Sequence, residues 1–157
     1  MEPIKQRLGR TSDVDGQFAD AIGRVVMEGG SLELGVSELH AALTEADGGV
    51  PVRFDQACKG VRKMLTENPA WFPWLLAVLA EAEKHWKQRN DVIHGIWLHG
   101  QEGDERTCLR PVRMRTQSWS DIPKVTWTVQ KLLELAEALR VDKTPIVAAA
   151  ESGRPTS

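Results

Sequence analysis

The sequence predicts an all-α fold, a bundle of about five helices with a small β-hairpin before the last one. Three observations carry this. Apolar residues recur at steps of three and four along most of the chain. Glycine pairs and prolines punctuate that stepping. Between Ile96 and Thr116 it gives way to two short extended runs around a glycine-containing turn. A length of 157 residues, 41% of them hydrophobic and 27% charged, suits one domain with a real core.

Residues 1–12 are polar, with Pro3 and Gly9, and read as a flexible arm. From Asp13 the apolar steps Val14, Phe18, Ala21, Ile22, Val25 and Val26 predict a first helix, which Gly29-Gly30 should end. Ser31 would cap a second helix. That helix carries Leu32, Leu34 or Val36, Leu39, Ala42 and Leu43, and stops at Asp47-Gly48-Gly49 with Pro51 behind. A third covers residues 54–66, burying Phe54, Ala57, Cys58, Val61, Met64 and Leu65. A fourth starts between Pro69 and Pro73 and is about 22–25 residues long, near the upper end of the globular range. Trp71, Trp74, Leu75, Val78, Leu79, Ala82, Trp86 and Ile93 line its inner side, as core or as a dimer interface.

Residues 96–99 then predict one strand and residues 107–116 a second, marked by Pro111 as an edge or irregular strand. A fifth helix, announced by Ser118 to Asp121 and Pro123, carries Val125, Val129, Leu132, Leu133, Ala136 and Leu139. After Val141 the chain turns small and polar, so residues 143–157 read as a tail, leaving 13–142 as the folded domain.

Composition narrows the function. No apolar run approaches the ~18 residues of a membrane span, and the first residues form no signal peptide, which points to the cytoplasm. Cys58 and Cys108 form no CxxC pair and read as reduced thiols. A net charge of −2 argues against a general polyanion binder. The one markedly basic stretch holds Arg106, Arg110, Arg113 and Arg115. Those arginines would either touch an RNA backbone or guard an exposed strand edge against aggregation. No metal site is expected: His94 and His99 lie five apart across a helix stop, and no His-x-x-x-His pair occurs.

The distinctive segment ends the fourth helix: Arg89-Asn90-Asp91-Val-Ile-His94-Gly95-Ile-Trp97. Asn90 and His94, four apart, stack on the helix surface. Arg89 lies about 7.5 Å from His94 along the axis and over a third of a turn round. A guanidinium matched to phosphate and a side chain that titrates near neutrality could thus share a site. Arg89-Asn90-x-x-x-His94, followed by Gly95-x-Trp97, an extended segment and a last helix, resembles the Arg-x(4 to 6)-His signature of the HEPN superfamily (higher eukaryotes and prokaryotes nucleotide-binding). The resemblance is strongest over residues 71–140 and architectural before them.

It implies a HEPN-like helical bundle and metal-independent endoribonuclease activity without a cofactor, in a toxin–antitoxin or phage-defence setting. His94 would be general base or acid, Arg89 would hold the scissile phosphate, and Asn90 would fix the geometry. Arg110, Arg113 and Arg115 would bind RNA. The partners implied are RNA, a second copy of the chain in a homodimer, and an antitoxin or nucleotidyltransferase as a possible companion. Other readings stay open at this level. The chain could be a HEPN-like module that binds a nucleotide, an RNA or a protein without cutting, or a helical assembly protein with no site. Arg89 could pair with Asp91 or Glu83 on a solvated face, and His94 could simply favour the helix dipole. His40, His85 and His99 carry no assigned role.

Overall fold

In a computed structural model, residues 13–45, 52–98, 103–110 and 122–155 are described. They form four helices and one three-stranded antiparallel sheet: α1 (Asp13–Thr44), α2 (Phe54–Glu67), α3 (Leu75–His94), β1 (Ile96–Trp97), β2 (Glu105–Leu109), β3 (Lys124–Thr128) and α4 (Val129–Ser152). The expectation of a mostly helical fold holds, with four helices in place of five.

The first correction is at Gly29-Gly30, which α1 runs straight through. Its buried residues Phe18, Ala21, Val25, Gly29, Leu32, Val36, Leu39 and Leu43 step by three or four without losing phase. Each internal glycine costs a helix about 1 kcal/mol relative to alanine. Burial of a Leu or Val side chain contributes about 1.5–3 kcal/mol, so this continuous stripe outweighs both. α1 lies along α4, the most extensive helix pair in the fold, while α2 and α3 pack on its other contacts.

The second correction concerns the C-terminus. Residues 143–152 continue α4, past Pro145, to Ser152. Leu132, Leu135, Ala136, Leu139, Asp142, Ile146 and Ala149 form one buried stripe, and the last three lie on or beyond the point where composition predicts the domain to end. Pro145 removes one intrahelical hydrogen bond, a loss the burial of Ile146 and Ala149 offsets.

The third correction is the sheet. Residues 124–128, expected in the last helix, form β3, and α4 begins only at Val129. Alternation of β-branched and aromatic residues in Lys-Val-Thr-Trp-Thr suits a strand, and the Thr128 hydroxyl caps α4 by accepting from Lys131 N at 3.1 Å. β2 pairs with β1 (Ile96↔Leu109) on one side and β3 (Leu109↔Lys124) on the other. It is therefore the central strand and not an edge. α2 falls where the periodicity places it, and α3 starts later than expected and is 20 residues long. Trp86 stacks on Phe54 at 4.5 Å, and Trp71 lies under Arg154, so two tryptophans of the predicted stripe join the core while Trp74 stays exposed.

Both cysteines are buried and free. Burial, with a contribution from the nearby Glu83 charge, pushes the Cys58 thiol up to about 12, and burial raises Cys108 as well. Neither thiol is set up as a nucleophile.

Candidate functional site

The last two turns of α3 carry the site. Helical spacing puts residues 87, 90, 91 and 94 on one face. Lys87, Asn90, Asp91 and His94 do line one open cavity of about 360 Å³, closed on its far side by Arg110. His94 is exposed at the helix end, and Gly95 after it is extended at φ −74° and ψ 153°.

Three contacts pin this helix end, whose final carbonyls lack intrahelical partners. The Trp97 indole N–H donates to Val92 O at 3.0 Å, and the Cys108 thiol donates to Asp91 O at 3.4 Å. β2 passes so close that a Cβ on Gly95 would sit 1.8 Å from Cys108 Sγ. Glycine at this position is needed for that approach and not for a left-handed turn. The same residues that end the helix therefore also hold its last turn rigid under the site.

The charges divide unevenly. Arg110, at the end of β2, hydrogen-bonds the Asp91 carboxylate, and its backbone N–H donates to Pro123 O at 3.0 Å. The side chain is half exposed, so this ion pair leaves the guanidinium open to a ligand on its outer side. Lys87 is exposed and makes no ion pair among the described residues. Two cations, one carboxylate, one carboxamide and one imidazole thus face a single opening.

Arg89 does not line this cavity. It is about 140° round the helix from His94, and its side chain turns inward across α1, where a Cβ on Gly29 would meet its Cγ and Nε at 2.8 Å. Burial lowers the Arg89 pKa from its ordinary value, partly countered by Glu33, and Nε is buried without a partner. Its link to the site is one hydrogen bond, from Nη1 to Asn90 Oδ1 at 2.9 Å. The alternative pairings are taken elsewhere: Glu83 binds Arg62, and Asp91 binds Arg110.

Of the residues singled out in the sequence, the structure brings Asn90, His94 and Arg110 together and reaches Arg89 only through Asn90. Arg113, Arg115 and His99 lie outside the described residues. Arg106, from the same basic stretch, is spent structurally: it pairs with Asp15 at 2.8 Å and covers the Phe18 ring, tying β2 to α1. Lys87 was missed, although its spacing of three, four and seven from Asn90, Asp91 and His94 was legible. His85 faces away from His94, and its Nδ1 lies 2.7 Å from the buried Asp142 carboxylate, joining α3 to α4. That bond supplies the partner a buried carboxylate requires. His40 packs its ring on Gly60 of α2.

No family model matches the chain, and no curated protein or solved structure is significantly similar to it. Among the described residues, no helix is long and apolar enough to cross a membrane.

Proposed function

We propose that the chain is a metal-independent endoribonuclease of HEPN type, acting in a toxin–antitoxin or phage-defence setting. The observation that supports this best is the cavity itself. It combines an exposed histidine with Lys87, Arg110 and the Asn90 amide at a pinned helix end. His94 takes the proton of a ribose 2′-hydroxyl as that oxygen attacks phosphorus. The bond from phosphorus to the 5′-oxygen breaks, and the leaving oxygen is protonated by an acid, which the second protomer's His94 supplies. The products are a 2′,3′-cyclic phosphate and a 5′-hydroxyl, with no change of oxidation state. Lys87 and Arg110 hold the phosphate, the role that the resemblance assigns to Arg89. The test is incubation of purified protein with RNA in EDTA, with end-group analysis of the products.

A homodimer follows from the need for an acid. Ile96 and Leu98, directly after the motif, are 48% and 37% exposed, a modest apolar edge beside the cavity. Sedimentation at micromolar concentration should show a dimer. A monomer under conditions where RNA is cut would rule out a composite site.

Arg110 should be freed by Asp91→Asn, which also removes a negative charge beside any bound phosphate. RNA binding is expected to tighten and its salt dependence to steepen by up to about one released counterion. Equal or weaker binding would mean that Asp91 serves chiefly to hold Arg110 in place.

The second reading is a module that binds RNA, a nucleotide or a protein without cutting. The inward turn of Arg89 and the Arg110–Asp91 pair favour it. It predicts phosphate-dependent binding at the same cavity and no cleavage product.

A further inference from the structure

We infer that Gly29, on α1, is a positioning residue for the cavity on the other side of α3: it seats the Arg89 side chain, and Arg89 decides which end of the Asn90 amide the cavity meets. The consequence for activity rests on the ribonuclease reading, while the packing and the amide orientation do not.

The orientation follows from donor chemistry. A guanidinium has only donors, and a carboxamide has one accepting and one donating end. The Asn90 atom 2.9 Å from Arg89 Nη1 must therefore be the oxygen. The NH₂ end is left over, with no partner among the described residues, in a side chain that lines the cavity with Lys87, His94 and Arg110. Held this way, Asn90 offers a donor to a phosphoryl oxygen. An amide released by Arg89 could turn its oxygen to the same place and repel the anion.

Gly29 makes the hold possible. It is buried on the α1 stripe, and the Arg89 stem lies across it. A methyl group there would fall 2.8 Å from both Cγ and Nε and 3.1 Å from Cδ of Arg89. Those atoms form the middle of the side chain and include one guanidinium nitrogen, so the stem would have to shift and carry the guanidinium away from Asn90. Glu33, one turn further along α1, adds a negative charge that partly offsets the burial of the guanidinium. The neighbouring Gly30 is exposed with nothing within 4 Å of its Cβ position, and is an internal control.

Thermal unfolding and side-chain amide NMR on the full chain test this. Gly30→Ala should raise the melting temperature, because alanine is the better helix former. Gly29→Ala should lower it. In an Arg89→Ala background, Gly29→Ala should raise it, because the three atoms nearest the methyl group, Cγ, Nε and Cδ of Arg89, are then gone. Titration with inorganic phosphate should shift the Asn90 Nδ2 protons in the wild type and leave them unmoved in Gly29→Ala and in Arg89→Ala. In RNA cleavage, Gly29→Ala should lower kcat and keep the wild-type pH profile, since His94 is untouched. The inference is overturned if Gly29→Ala stabilises the wild type as Gly30→Ala does, or if the Asn90 amide responds to phosphate equally in all three proteins. RNA cleavage by Gly29→Ala at the wild-type rate would also overturn it and leave the ribonuclease reading standing. An amide response that depends on Gly29, in a protein that cuts no RNA, would support the seat and sink the ribonuclease reading.

Discussion

His94→Ala should reduce RNA cleavage in EDTA by about 10²–10⁴, the usual worth of a positioned general base, and leave the melting curve almost unchanged. The reason for the second half is exposure. His94 stands at the mouth of an open cavity, at the end of a helix whose last carbonyls are held by Trp97 and Cys108. Its loss opens no core, and surface changes of this kind usually stay within about 0.5 kcal/mol. Arg89→Ala should differ in kind. It removes a half-buried stem that packs on α1 and the hydrogen bond that holds Asn90, so it should lower both stability and activity. Side-by-side rates and melting curves for the two variants would separate chemistry from packing. Cleavage that persists in His94→Ala, or that needs added Mg²⁺, would exclude the mechanism.

Ile146→Ala should be the most destabilising of the single changes considered, at about 2–5 kcal/mol, as for other large-to-small changes in cores. Ile146 is fully buried, one turn beyond Asp142, in the part of α4 that lies along α1. Val141, on the opposite side of the same helix and 53% exposed, is the matched control, and Val141→Ala should shift the urea midpoint little. Equal effects at the two positions would mean that residues 143–152 contribute nothing to the core.

Much of the architecture is written in the apolar spacing. α2, the existence of α3 and its phase through Leu75, Leu79 and Ala82, the extended segment after Gly95 and the stripe of α4 are all legible there, although in the last turn of α3 it is Val92 and not Ile93 that is buried. Even the continuity of α1 was present, because the steps from Val25 through Gly29 to Leu32 never change phase. Local rules give Gly29-Gly30 the weight of a stop, and only the partner surface shows what Gly29 accommodates. The same holds for Pro145 and the small residues after Val141, which look like a tail until α1 is laid against Ile146 and Ala149. β3 could not be separated from the helix that follows it, since Val125 and Val129 fit either period over so short a run.

At the site, sequence by itself determined that Asn90 and His94 share a face, because an α-helix turns through a fixed angle per residue; the cavity adds Lys87 and also Asp91, which the sequence reading sets elsewhere round the helix. The same arithmetic sends Arg89 well round the axis from His94, but a long side chain can reach either way. What Arg89 touches depends on Gly29, some sixty residues earlier in the chain. Arg110 likewise meets Asp91 only because β2 returns across Gly95. Side chains on one helix are related by local geometry, whereas the destination of a long charged side chain is set by whichever element packs beside it, and that is a property of the tertiary fold.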